Sequence, residues 1–324
     1  MAETQKLTHD ELREFARTVR RDVIMMTNVS KSGHPGGPLS AADYTSALVC
    51  NYLRLRPQEP YWQHRDRLVI SNGHCSALNY SLLARRGFFN PGYLLTFRTT
   101  PSRLQGHPNH VKLPGVEIGS GSLGQGLSVA HGMALGAKLA TLQGDAGMSD
   151  VRVVCNLGDG EMQEGNIWEA IMHAGHRRTD NLIVSIDYND AQIDGRVHDI
   201  KRLDPLDAKL EAFHWNVRWA DGHDMAQVCD AWEWAFGNVG SGQPSAIIFK
   251  TVMMKGAGQK YEDIASWHGQ PPNDEQALEI LHHLGYSYPD IASARGDYGG
   301  PVYDGAVPPP MAAAWSRVIK VEVN

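Results

Sequence analysis

Residues 151–189 constrain the fold more than any other part of the chain. A β-branched run, VRVVCNL (151–157), leads into Gly158-Asp159-Gly160. Helical periodicity covers about 166–177, and a second apolar run, LIVSID (182–187), follows. Strand, tight turn, helix and strand within ~30 residues is the length of a βαβ unit, and the crossover helix forces its two strands to be parallel. Similar segments flank this unit. RLVIS (67–71), WNVRWA (215–220) and SAIIFKTV (245–252) read as further strands, with helices ending near Arg86 and covering about 125–140 and 224–236. Such alternation predicts an α/β fold of three layers, a central mostly parallel sheet covered by helices on both faces. Sheets of this kind hold ligands outside the carboxyl ends of their strands, and the polar clusters of this chain fall at those ends.

The N-terminal helix is marked by a Thr8/Glu11 capping-box pattern ahead of Leu12, Phe15, Ala16, Val19 and Val23 on one face. Ser40 is expected to cap a second helix running to about Leu53, and 273–284 to form the last one. After Gly285 the periodicity is lost. This divides the chain into a domain over 1–287 and an extended C-terminal tail over 288–324. Composition excludes several classes. The 30 basic and 36 acidic residues give a formal charge of -6, so no basic surplus points to nucleic acid. No apolar run approaches the ~18–20 residues of a membrane span, and MAETQKLTHDELREF lacks the apolar stretch of a signal peptide. Cys50, Cys75, Cys155 and Cys229 form no CxxC pair. Neither a disulfide framework nor a zinc ribbon is expected, and a cytoplasmic location is.

Asp159 lies just beyond the first strand of the central unit and Asn189 just beyond the second. If those strands are neighbours, a carboxylate, an amide oxygen and a loop carbonyl converge on a hard cation. Mg²⁺ takes few protein oxygens and completes its octahedron with phosphate oxygens and water. Gly158 and Gly160 leave room for a phosphate to approach backbone N–H groups, and the following helix turns its positive end toward an anion. GDG alone is explained equally well by a strand–helix turn with Asp159 as a cap. The Asn at this spacing, after a second strand, is the more specific part. Gly119, Gly121 and Gly124 also fit GxGxxG, but the strand before them is short and no acid-ended strand follows ~20 residues later, so a nicotinamide site is not expected.

In these features the sequence resembles the thiamin-diphosphate enzymes, specifically the diphosphate-binding half of transketolase. The resemblance is carried by SGHPGGPLS (32–40), SNGHCSALNYSLL (71–83), GHP (106–108), GSGSLGQGLSVAHGMALG (119–136), GDGEMQEGNIWEA (158–170), DYNDAQIDG (187–195), DGHD (221–224), KTV (250–252) and WHG (267–269). It implies the thiamin-diphosphate-binding fold, a thiamin diphosphate cofactor with Mg²⁺ (or Ca²⁺ or Mn²⁺ in its place), and transfer of a two-carbon ketol unit from a ketose, expected to be phosphorylated, to an aldose. The implied cation ligands are the Asp159 and Asn189 side chains and the carbonyl of Ala191, where the family usually has a bulkier aliphatic residue. His74, Gly158, Gly160 and His268 are implied at the diphosphate, with Gly121 and Leu123 beside the ring portion. Ser122 stands where many transketolases have proline.

Most of the fifteen histidines read as ordinary surface or core residues. His34, His74, His107 and His268 differ, because each sits beside Gly or Pro in a loop at an expected strand end. Cleaving a C–C bond next to a hydroxyl requires that hydroxyl to lose its proton, and imidazole exchanges protons near neutral pH. By the resemblance, His34 and His268 face that hydroxyl and His107 binds the donor's ketol end. Glu164 and Glu169 fit two readings: acidic residues favoured near a helix start, or a carboxylate network between two active sites. Asp224, after His223, reads as a helix cap.

Full-length transketolases are much longer, and their second half carries a pyrimidine-binding domain with the glutamate that activates the cofactor. The resemblance therefore implies the N-terminal subunit of a two-component enzyme, completed by a separate subunit carrying that domain in a 2+2 heterotetramer. Two alternatives stand beside this. One is a subunit of a related thiamin-diphosphate enzyme acting on a modified sugar or acyl donor in specialised metabolism. The other is a non-catalytic cofactor-binding subunit.

Overall fold

The computed structural model describes residues 6–302. Helix α1 (His9–Ser30) begins as expected: Thr8 accepts from the Glu11 amide, and Glu11 reaches back to the Thr8 amide at 2.8 Å. It is followed by α2 (Gly36–Ser40) and α3 (Ala42–Ala47), which opens into a wide turn over Leu48–Tyr52. The second helical stretch thus starts at Gly36, and Ser40 ends α2 instead of capping a helix. Its hydroxyl is drawn to Asp187, at 2.5 Å, a partner from a distant strand that no local pattern announces.

Five strands form one parallel sheet: β1 (Arg67–Ile70), β2 (Val153–Gly158), β3 (Leu182–Tyr188), β6 (Asn216–Asp221) and β7 (Ser245–Lys250), in the spatial order β1-β2-β3-β7-β6. Between β3 and β6 a small antiparallel hairpin, β4 (Ala191–Gln192) and β5 (Gly195–Arg196), follows the Asn189 turn. The remaining helices are α4 (Ser76–Arg85), α5 (Gln125–Leu142), α6 (Gly165–His176), α7 (Val197–Lys201), α8 (Leu206–Ala212), α9 (Met225–Gly237), α10 (Asp274–His283) and α11 (Ile291–Gly296). No strand precedes the 119–126 glycines, so the dinucleotide pattern there has no βα frame.

The three layers follow from the two-residue period of the strands. Val153, Cys155, Val184 and Ile248 point to one face, packed by Leu127 and Ala130 of α5, Ile167 and Ile171 of α6 and Leu206 of α8. Val154, Ile183, Ile247 and Phe249 point to the other, packed by Leu12 and Val19 of α1, Tyr44 of α3 and Trp232 of α9. Tyr44 stacks on Phe249 with centroids 4.4 Å apart, and its hydroxyl donates to Asn156 Oδ1 at 2.8 Å. Asn156 also accepts from Ser185 and donates to Asn72. A buried polar row thus locks the ends of β1, β2 and β3 together, and its members are satisfied by one another.

Sheet order reverses beside β3. The chain steps from β1 to β3, passes to the far edge at β6, and returns to insert β7. The loops diverge at such a switch and leave a crevice at the carboxyl ends of the strands.

The aperiodic segment after Gly285 contains α11, capped by Asp290, and packs back on α1. Its anchor is Tyr298, whose hydroxyl donates to fully buried Asp22 at 2.6 Å; Asp22 also accepts from Ser81 and from Arg85 through two bonds. Residues 303–324, the rest of the expected tail, lie outside the described residues. Tyr298→Phe is expected to destabilise the chain by about 1–2 kcal/mol, because it takes a donor from a buried charge. Chemical denaturation with an unchanged slope would register it.

Candidate functional site

The site assembles at the carboxyl ends of β2, β3 and β7. In the register of the sheet Gly158 pairs with Asp187, so the turns that follow start side by side. Asp159 is buried, with Oδ1 accepting from the Gly160 amide at 2.7 Å and Oδ2 from the Asp190 amide at 2.6 Å. Asn189 Oδ1 accepts from the Ala191 amide at 2.9 Å, and its Nδ2 donates to Asp187 Oδ2 at 2.9 Å. The structure thus brings Asp159 against the 189–191 loop. Burial, and next the Asp187 carboxylate, raise the Asp159 pKa well above the usual carboxylate range; burial raises that of Asp187 as well. Among the described residues, neither carboxylate forms an ion pair with a cationic side chain. Buried carboxylates are ordinarily paired or coordinate a metal. One carboxylate, one amide oxygen and a loop carbonyl suit a hard, oxygen-seeking cation; among the described residues no group of three or more His, Cys, Asp or Glu side chains is placed to hold a metal ion, so any cation here would rely on the amide and backbone oxygens as well.

A histidine cluster lies beside this cradle. His74 sits on the turn Gly73–Cys75 after β1, His34 in the loop after α1, and His268 on the turn Ala265–His268. Their ring centroids are 5.4 Å (His34–His74), 4.9 Å (His74–His268) and 5.8 Å (His34–His268) apart. Burial, then His268, then Arg98 lower the His34 pKa to about 4; burial lowers His74 well below the ordinary imidazole value and lowers His268 too. In all three, burial favours the neutral ring. The Nδ1 atoms of His34 and His268 are buried and have no hydrogen-bond partner among the described residues, which fits groups awaiting a polar ligand. Helix α2 joins the two halves of the site: it begins two residues after His34 and ends on Ser40, the donor to Asp187.

His107 is exposed beside this group. Its loop is fastened from behind, with Tyr80 donating to the Gln105 carbonyl (2.8 Å) and Ser76 to that of Gly106 (2.8 Å). Gly121 and Leu123 belong to the neighbouring loop, which is pressed onto the His74 turn. A Cβ on Gly73 would lie 2.6 Å from the Gly121 nitrogen, and one on Gly121 would lie 3.0 Å from His107 Cγ. Backbone at that distance requires glycine at 73, whereas a side chain at 121 would need the His107 ring to shift by a few tenths of an ångström. Glu164 and Glu169 are exposed, and Glu164 makes no side-chain cap bond to α6. Asp224 caps α9 through the Ala226 amide.

Sequence reasoning passed over Glu161. It is buried, and its carboxylate accepts from Ser71 Oγ (2.5 Å), the Gly124 amide (2.8 Å) and the Gly158 amide (3.3 Å). One side chain therefore ties the GDG turn to the 119–126 loop. Burial pushes its pKa up to about 7. His223, read only as part of the DGHD motif, links Asp43 (2.8 Å) to the Val252 amide (2.8 Å) just past β7. Gly158 apart, both partner sets come from remote segments; the local signals were an acid in the first turn after GDG and the DGHD motif.

Known proteins of similar sequence and fold point to one family. The family model for the transketolase, thiamine diphosphate binding domain matches residues 11–295. A 6-deoxy-6-sulfo-D-fructose transketolase subunit of Clostridium sp. is 37% identical over 256 residues, covering 79% of this chain and 90% of that protein. An apulose-4-phosphate transketolase subunit of Actinobacillus succinogenes is 35% identical over 280 residues, covering 86% and 97%. Human transketolase is 35% identical over 284 residues, but the match spans only 43% of it. Among solved structures, transketolase from Campylobacter jejuni superposes with a TM-score of 0.80 at 35% identity, over 90% of this chain and 46% of that one. The parallel sheet, the two juxtaposed turns and the matched sequence lead to one assignment: the chain belongs to the transketolase thiamine diphosphate binding domain family.

Proposed function

We propose that this chain is the N-terminal subunit of a two-component, thiamin-diphosphate-dependent transketolase, moving a two-carbon ketol unit from a phosphorylated ketose to an aldose. The observation that carries this reading is the adjacency of the Asp159/Asn189 cradle and the neutral histidine cluster at one end of the sheet. Asp159, Asn189 and the Ala191 carbonyl would hold Mg²⁺; Gly158, Gly160, His74 and His268 would meet the diphosphate; Gly121 and Leu123 would flank the rings. Thiamin diphosphate, when bound, supplies a nucleophilic carbon and an electron sink for the ketol unit. His34 and His268, neutral at working pH, take the proton from the substrate hydroxyl next to the bond that breaks, and return it when the acceptor is in place. His107, exposed at the rim, binds the ketol end of the donor.

The two subunit-named relatives, each matched over nine-tenths or more of its length, support a separate partner carrying the pyrimidine-binding domain. Exposed Val129 and Leu139 on α5, with Met172 on α6, flank Gly132 and Gly136, where an added Cβ would meet nothing. This face supports contact between two copies and a 2+2 assembly. The four free cysteines support a cytoplasmic location; no helix among the described residues is long and apolar enough to cross a membrane. The sulfosugar relative gives a second reading some weight, a modified sugar as donor. Co-purification from the native host, followed by assay of the pair with thiamin diphosphate, Mg²⁺ and a panel of sugar phosphates and sulfosugars, tests both. Full turnover by this chain alone overturns the two-component reading.

Cation binding should be linked to pH. Without a cation, Asp159 holds its proton more tightly folded than unfolded, and Glu161 does so up to about 7. The metal-free chain therefore loses stability as pH rises above the ordinary carboxylate range. Mg²⁺ needs the ionised form of Asp159. The rise in melting temperature produced by Mg²⁺ with thiamin diphosphate is expected to be larger at pH 8 than at pH 6.

A further inference from the structure

Asp187 is buried near the end of β3, and both its oxygens are engaged. Oδ1 accepts from Thr251 Oγ1 at 2.5 Å; Oδ2 accepts from Ser40 Oγ at 2.5 Å and from Asn189 Nδ2 at 2.9 Å. The three donors come from the end of β7, from α2 and from the loop after β3. The consequence falls on Asn189. A carboxamide has two chemically opposite ends, and only its oxygen binds a cation. Here the nitrogen faces Asp187 and Ser40 Oγ (3.2 Å), while the oxygen faces the Ala191 amide. Turned over, the amide would set its oxygen against a carboxylate and its NH₂ against a backbone N–H. Both contacts would be mismatched in a buried site, so the side chain has one satisfactory orientation.

We propose that Asp187 is a positioning residue that fixes which end of the Asn189 carboxamide is offered to the cation. This rests on the reading of Asp159 and Asn189 as cation ligands. Outer partners that orient metal ligands typically change metal affinity 10–100-fold when removed. In Asp187→Asn with the new oxygen kept toward Thr251, the NH₂ takes the place of Oδ2 and turns a donor toward both Asn189 and Ser40 Oγ, which favours the reversed orientation of Asn189.

The test uses the chain assembled with its partner subunit, titrated with Mg²⁺ in the presence of thiamin diphosphate and followed by calorimetry. The metal-free melting temperature is measured in parallel. Asp187→Asn is expected to raise the Mg²⁺ concentration required by about 10–100-fold without lowering the metal-free melting temperature. The exchange Asp187→Asn/Asn189→Asp is expected to restore affinity, because a carboxylate at 189 presents an oxygen on both sides. A merely structural Asp187 would instead lower the metal-free melting temperature in both variants and give no restoration, and that result overturns the proposal. So does Asp187→Asn affinity within about twofold of the parent, far below the usual effect of an outer partner. Asn189→Ala separates the two levels. If it too keeps parental affinity, the cation-site reading fails; if it loses affinity while Asp187→Asn keeps it, only the positioning role fails.

Discussion

Asp159→Ala is expected to abolish Mg²⁺-dependent binding of thiamin diphosphate to the assembled enzyme, with affinity falling by at least ~100-fold, while the chain stays folded. Asp159 lies against the 189–191 loop and is met there by two backbone donors, the Gly160 and Asp190 amides. Removing it takes away the charge that a divalent ion would neutralise. Asn189→Ala should follow Asp159→Ala in cofactor binding. Calorimetry reads the affinity and circular dichroism the fold; normal cofactor occupancy in both alanine variants would place the cation elsewhere.

Loss of His34 or His268 should act on turnover. Each alanine variant is expected to lower kcat by ~10²–10⁴-fold, the usual contribution of a positioned acid–base group. His107→Ala is expected to raise the KM for the donor more than it lowers kcat. Unchanged activity in His107→Ala would favour the non-catalytic alternative. The pH profile carries a sign. A base must be neutral to accept a proton, so activity falls as pH drops through its pKa. Burial lowers His34 to about 4 and lowers His268 as well. The acid limb of kcat/KM should therefore lie below the ~6.5 of an ordinary imidazole. A limb above pH 6.5 would exclude both histidines from that role.

The layered sheet was legible because its strands are short β-branched runs, most of them ended by Gly, Asn or Asp turns, and because α1, α9 and α10 carry their own side-chain caps. The GDG turn and Asn189 were legible for the same reason: each stands one step past an apolar run. What stayed hidden depends on partners distant in sequence. Ser40 looks like a cap until Asp187 is placed beside it. Glu161 looks like a helix-start acid until Ser71 and Gly124 close around it. Helix α11 is only six residues long, too short for periodicity to show, and Tyr298 holds its end in place through Asp22, on the opposite side of the sequence.

The return of the chain at β7 also orders events in time. His34 leaves the ribosome early and His268 very late, so the three imidazoles can meet only after nearly all of the described polypeptide has emerged. The Asp159/Asn189 turns, by contrast, come from two neighbouring strands made in quick succession. Proteolytic nicking between β7 and α10 should therefore leave the Asp159 and Asn189 turns paired while loosening the contacts of the His268 ring with His34 and His74.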